Sequence, residues 1–227
     1  METRSRRYRN AEKKLDRARA YPLEEALRTV QSFDAPKFDE TVEVAIHLGI
    51  DPKKTDQLVR GAVSLPRGLG KDVRVIVFAE AEAAEAAKAE GAIAVGTDDL
   101  AKRIQDGWTD SDVAVTTPDL MKVVGRLGKI LGPQGKMPSP KSGTVTADVA
   151  QAVREFRAGK VEFRTDAGGN VHAPIGKRSF PLGHLLENAT VFLDTLRAMR
   201  PSAVKGVFLA RVFVSASMSP GVLVDVH

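Results

Sequence analysis

The 227-residue chain is 43% hydrophobic and 28% charged, proportions of a globular protein long enough to build two cores, and carries a formal net charge of +5. It has no cysteine, which excludes disulfides and cysteine-ligated zinc or iron–sulfur centres. No apolar run approaches the ~18 residues of a membrane helix, and the N-terminus lacks the apolar core of a secretory signal, so a cytoplasmic location is expected.

In chain order, residues 1–19 carry eight Lys/Arg against three acids. They are expected to form a frayed or partner-ordered arm. Pro22 opens a short helix with Leu23, Ala26, Leu27 and Val30 at helical spacing. Pro36–Ile50 then alternates cleanly: Phe38, Val42, Val44, Ile46 and Leu48 fall on one face, and Thr41, Glu43 and His47 on the other. This pattern predicts a strand with one buried face. Asp51–Lys54 is a turn, and the cluster of Pro66, Gly68 and Gly70 marks a boundary.

Beyond it the pattern changes. Val73–Phe78 is a nearly continuous apolar strand, as in a sheet covered on both faces. An alanine- and glutamate-rich helix follows to Glu90, then a short strand at Ala92–Val95 and a helix capped by Thr97. Val113–Thr116 is a third strand, and Pro118 opens a helix around Leu120–Val124. Strand and helix alternating three times predict a parallel, three-layer Rossmann-like α/β domain. Gly125–Gly143, with five Gly, three Pro, four bases and no acid, reads as a structured basic loop. A helix over Asp148–Ala158 is stopped by Gly159, the second boundary.

Asp166-Ala-Gly-Gly, between two strand-like runs, predicts a hairpin. A long helix follows from Ser179 or Pro181 to Met199. Val207–Met218 is a final strand, with Val212, Val214, Ala216 and Met218 on one face. The fold expected is therefore an α+β domain formed by both chain termini, residues 1–67 and 159–227. An α/β domain, residues 68–158, is inserted into it, with hinge residues Pro66, Gly68 and Gly159 at the two crossings.

Catalytic and cofactor signatures are missing from the sequence. Gly135-Lys136 has Ile130 where a phosphate loop needs glycine, and Val73 stands where a dinucleotide fingerprint starting at Gly68 needs its third. The four histidines, His47, His172, His184 and His227, lack metal-ligand spacing, and the acids of Asp106–Asp112 suit turns and caps better than a cation. No enzyme, metal or cofactor is expected. Charge is segregated instead: the basic stretches 1–19 and 121–143 flank 71–119, with five bases and eleven acids. Such segregation suits a polyanion met by defined surfaces, although a solvated tail and a lysine-rich soluble loop would look the same.

The motifs KFDETVEV (37–44), LGID (48–51), VRGAVSLPRGLGK (59–71), GKILGPQGKMPSPKSGTV (128–145), KVEFRTDAGGNVHAPIGKRSF (160–180) and VFVSASMSPG (212–221) resemble the L-one family of large-subunit ribosomal proteins. The resemblance covers essentially the whole chain. It implies a protein that is monomeric off the ribosome, binds large-subunit rRNA and forms the mobile stalk beside the tRNA exit site. It also implies contact with exit-site tRNA and repression of the chain's own operon mRNA. Carried over by motif, the RNA-binding residues are Lys37, Phe38, Glu40, Thr41, Arg164, His172, Lys177, Ser215, Ser217, Met218 and Ser219. Alternation alone would bury Phe38 and Met218; the resemblance turns them toward RNA. Lys122, Arg126, Lys129, Lys136 and Lys141 would supply secondary RNA or tRNA contact, and Arg4, Arg6, Arg7 and Arg9 a basic arm. Ser219 stands where the family typically has glycine. Its side chain is expected to crowd approaching RNA unless Gly221 lets the turn adjust.

Overall fold

A computed structural model describes residues 4–226; Met1, Glu2, Thr3 and His227 lie outside the described residues. The first elements are α1 (Arg6–Lys13), α2 (Leu23–Ser32), β1 (Thr41–Leu48) and β2 (Arg60–Ser64). Then come β3 (Val75–Phe78), α3 (Ala81–Ala89), β4 (Ala94–Gly96), α4 (Asp98–Gln105), β5 (Val113–Thr116), α5 (Met121–Gly125), α6 (Gly128–Leu131) and α7 (Val149–Ala158). The last are β6 (Lys160–Arg164), β7 (Asn170–Lys177), α8 (Leu182–Ala198), β8 (Leu209–Ala216) and β9 (Val222–Val224). The chain divides into two compact units, one of Lys71–Lys160 and one of the residues on either side of it.

The first unit is organised on a four-stranded sheet of order β7-β1-β8-β9. β1 is central and antiparallel to both neighbours, so its alternation decides the fold of the whole sheet. Val42, Val44, Ile46 and Leu48 are buried beneath α2 and α8, while Glu43 and His47 face outward. Opposite Val42 the ladder slips by one residue, placing Gly176 at φ +149°. A Cβ there would lie 2.9 Å from both Leu185 and Phe180, so only glycine allows α8 this close to the bulge.

Three local expectations are corrected in this unit. The basic arm is ordered: Ser5 caps α1, Ala11 and Leu15 are buried in the core, and Tyr21 bridges in parallel to Val224. Sparse apolar residues concealed this, since two well-placed ones suffice once a core exists to receive them. The hairpin is split: β6 pairs with β2 in a separate ribbon, whereas β7 joins β1, leaving only a Thr165–Val171 bridge. The turn chemistry is local and correct, with Asp166 accepting from the amides of Gly168 (2.8 Å) and Asn170 (2.7 Å). Strand partners, in contrast, are chosen by which face each strand can bury. Finally, Phe38 and Met218 leave the alternating pattern, because β1 starts only at Thr41 and β8 ends at Ala216.

The second unit is a three-stranded parallel sheet of order β4-β3-β5. Its central strand β3 is buried on both faces, as four consecutive apolar residues require. Val75 and Val77 pack with Ala87 of α3 and Val149, Val153 and Phe156 of α7. Ile76 and Phe78 pack with Leu100 and Ile104 of α4, Val124 of α5 and Leu131 of α6. The basic stretch 125–143 is less loop than expected. Gly128–Leu131 is helical and buries Leu131, and Pro140–Ser142 forms a 3-10 turn closed by Gly143 at φ +69°. Asp148 caps α7 through its side chain, and Gly159 ends it at φ +117°.

Candidate nucleic-acid interface

The KFDE segment before β1 divides its side chains between two tasks. Asp39 and Glu40 anchor it: Asp39 accepts from the Ser179 amide (3.1 Å) and hydroxyl (2.7 Å), and Glu40 pairs with Arg178 Nη1 at 2.7 Å. With those two engaged by Ser179 and Arg178, Lys37 and Phe38 are presented to solvent, Phe38 at 53% exposure. Lys37 has no ion-pair partner among the described residues. An exposed phenyl ring beside an unpaired ammonium is a combination that stacks on a base or sugar while meeting a phosphate.

The turn after β8 lies against this segment. Ser217 closes onto Thr41, whose carbonyl accepts from the Ser217 amide (3.1 Å) and whose amide donates to Ser217 Oγ (3.2 Å). Lys177 Nζ donates to Thr41 Oγ1 at 3.0 Å, and the Met218 amide donates to Glu40 Oε1 at 2.9 Å. Met218 itself is 54% exposed. Two chain segments more than 170 residues apart thus present Phe38 and Met218 at one corner, with Lys37, Lys177, Thr41 and Ser217 around them. Two large apolar side chains left exposed beside cations and hydroxyls are poorly explained by stability, and well explained by a partner with flat apolar faces and charged edges.

Glu40 is corrected as a contact residue. At 1% exposure it cannot reach a partner, and both its oxygens are engaged inside the protein. Ser219 also differs from expectation. Its amide donates to the Ala216 carbonyl (3.0 Å) and its Oγ accepts from the Ala216 amide (2.8 Å), so the side chain folds back into the turn. Among the described residues only Ala81 has positive φ without being glycine, so Ser219 is unstrained, and Gly221 is not in the left-handed region either.

Ser215 and His172 extend the corner across the outward face of the sheet. Ser215 stands opposite Glu43, while His172 and Phe213 flank Ala45 from its two sides. His47 Nδ1 is 2.8 Å from Asn170 Oδ1, and His172 Nε2 lies 3.8 Å from Asp166. The Asp166 carboxyl is held below the usual carboxylate range, first by the Asn170 amide. Arg164 is not brought to this face; it ends β6 on the separate two-stranded ribbon. Arg178, Asp39 and Ser179 were not expected as part of the corner. Arg178 and Ser179 lie in GKRSF, just after β7, and Asp39 in KFDETVEV.

Of the expected arm, Arg6 and Arg9 are exposed, Arg7 is half-buried, and Arg4 stacks on Tyr8 at 5.0 Å. In the second unit Lys122, Lys129 and Lys141 are exposed without ion partners among the described residues. Arg126 lies 3.9 Å from Asp98, and Lys136 is committed to the Thr109 carbonyl at 3.0 Å, which makes it a brace for the fold rather than a free cation. Pro66 and Gly68, expected as hinge residues, flank a buried polar tie. The buried Asn188 accepts from the Arg67 amide (3.0 Å) and donates to the Gly68 carbonyl (3.0 Å), and Arg67 pairs with Glu187 at 2.6 Å. Arg67 and Gly68 are thereby bonded down onto the first unit. Gly159 serves as the cap of α7.

The sequence matches the ribosomal protein L1p/L10e family over residues 30–220. It is similar to the large ribosomal subunit protein uL1 of Kosmotoga olearia, with 52% identity over 225 residues, covering 99% of this chain and 97% of that one.

Proposed function

This chain belongs to the ribosomal protein L1p/L10e family, and from that premise we propose that it is a structural, non-catalytic constituent of the large ribosomal subunit in the bacterial cytoplasm. It binds large-subunit rRNA through the corner formed by Lys37, Phe38, Thr41, Lys177, Ser217 and Met218. The observation that carries this reading is the joint exposure of Phe38 and Met218, at 53% and 54%, on a corner whose backbone is fixed by hydrogen bonds on both sides. A rigid apolar platform ringed by cations and hydroxyls suits splayed-out bases and their 2′-hydroxyls, and a single-stranded or irregular RNA offers both.

The same corner would take an operon mRNA presenting a similar RNA fold, which is how repression of the chain's own synthesis fits one surface. Contact with exit-site tRNA, as part of a mobile stalk, is assigned to the second unit, where Lys122, Lys129 and Lys141 are unpaired among the described residues. The protein works as a monomer off the ribosome, since one copy carries the whole corner. Residues 71–160 are the part free to move relative to the bound unit.

The test is co-sedimentation. The chain is expected to remain with large subunits through a high-salt wash, and recovery only at the top of the gradient would overturn the reading.

A further inference from the structure

Arg178 is a cation that makes no use of solvent. Its side chain is 11% exposed and that of its partner Glu40 is 2% exposed. Both terminal nitrogens of the guanidinium are employed: Nη1 donates to Glu40 Oε2 at 2.7 Å, while Nη2 donates to the carbonyls of Gln31 (3.0 Å) and Phe33 at the end of α2. The Arg178 amide donates to the Glu40 carbonyl at 2.8 Å as well. Glu40 spends its other oxygen, Oε1, on the Met218 amide at 2.9 Å. A continuous path of bonds therefore runs from the C-terminal end of α2, through Arg178 and Glu40, to the turn that presents Met218.

A buried ion pair is weak evidence for stability, because desolvating two charges offsets most of their attraction. It is better suited to fixing one geometry, and arginine's planar fork does this where lysine cannot. Lysine carries its three donors on a single nitrogen, whereas the carboxylate and the helix carbonyls are here met by two separate nitrogens of one rigid fork. The geometry fixed here is that of the corner. Glu40 immediately precedes β1, and with its carboxylate aimed by Arg178 the Met218 amide has a charged acceptor. If that carboxylate were free to turn, the amide would lose its acceptor and the turn its attachment to the KFDE segment.

We infer that Arg178 is a positioning residue for RNA binding: it touches no RNA itself, but aims Glu40 so that the Met218 turn is held in its binding conformation. This rests on the reading that the Phe38–Met218 corner binds rRNA.

Three measurements on the full-length chain test it: titration with deproteinised large-subunit rRNA, thermal unfolding, and amide hydrogen exchange at Met218. Arg178→Lys is expected to keep the fold and lose at least about tenfold in affinity, a difference of about 1.4 kcal/mol. Exchange at the Met218 amide should quicken, while that of β3 in the second unit stays native. A role in stability alone would instead lower the unfolding temperature and leave both affinity and Met218 exchange native in the folded protein. Should Arg178→Lys fail to fold, Glu40→Gln/Arg178→Met removes both buried charges and should fold, with the same loss of affinity and the same faster exchange. Native affinity in a folded variant overturns the inference. So does lost affinity with native Met218 exchange, which would make Arg178 a direct contact. If the unaltered chain fails to bind this rRNA, the functional reading fails, whereas Met218 exchange still reports whether Arg178 holds the turn.

Discussion

Ser219 shows how one side chain can change the meaning of a turn. A serine in a position suited to glycine suggests either backbone strain or an obstruction to RNA. The backbone is unstrained, and the hydroxyl takes the Ala216 amide at 2.8 Å, adding a bond that glycine cannot make. Ser219→Gly is therefore expected to lower the unfolding free energy by about 1 kcal/mol, through the lost bond and the added freedom of the unfolded chain. It should not tighten RNA binding. Denaturant unfolding beside RNA titration checks both, and a more stable Ser219→Gly protein would contradict the bonding described. Residues of this kind are the least legible in sequence. Thr41, Ser217 and Met218 could be placed at a site by motif, but nothing in the string KFDE distinguishes the carboxylate that is buried from the lysine that is free. That distinction is made by Arg178 and Ser179, some 140 residues away.

Among the elements, periodic strands were legible, but not all of their partners were. The buried face of β1 follows from alternation, and β3 from its unbroken apolar run. The pairing of β6 with β2 rather than β7 depends on long-range burial, which no turn motif records. Asn188 is the clearest unread element residue, a lone polar side chain on an apolar helix stripe. It joins three backbone groups, the Arg67 amide and the carbonyls of Gly68 and of Ile175, the residue skipped at the bulge. Asn188→Leu would leave all three without that partner and should destabilise the fold by about 3 kcal/mol, measured by denaturant unfolding. A loss below about 1 kcal/mol would mean that water replaces the asparagine.

Asp112 joins the approach to β3 to the start of β5. Its carboxylate accepts from Lys71 Nζ at 2.9 Å and from the Arg74 amide at 3.0 Å. Burial works against the charge, but the bonds from Lys71 and Arg74 outweigh it and bring the pKa from 3.8 to about 2. A carboxyl whose folded pKa is depressed stabilises the fold above its ordinary value, and that contribution fades as pH falls toward the folded value. The stability gap between the native chain and Asp112→Asn should thus be level above about pH 5 and shrink between about pH 4 and pH 2. A gap independent of pH would sink the linkage.

On the scale of the whole molecule, charge is divided by function. In the first unit many cations are already spent: Arg60 on Glu162, Arg67 on Glu187 and Arg178 on Glu40. Those left exposed without ion partners among the described residues include Lys37, Arg6 and Arg9. Affinity for RNA should consequently fall with salt by counterion release. Replacing Arg6 and Arg9 with glutamine should flatten the log–log slope by up to about 1.5 while leaving discrimination between RNAs unchanged. An unaltered slope would make α1 a purely structural element.

The central claim is that one corner, built from the segment before β1 and the turn after β8, binds large-subunit rRNA. Met218→Asp tests it most directly, because Met218 is exposed and only its backbone takes part in the network that holds the turn. The substitution places a negative charge among the RNA's phosphates without removing any bond described here. Titration of deproteinised large-subunit rRNA should show affinity falling at least about a hundredfold, or about 2.7 kcal/mol, with thermal unfolding close to native. Native affinity in the Met218→Asp protein would contradict the account and place the interface elsewhere on the molecule.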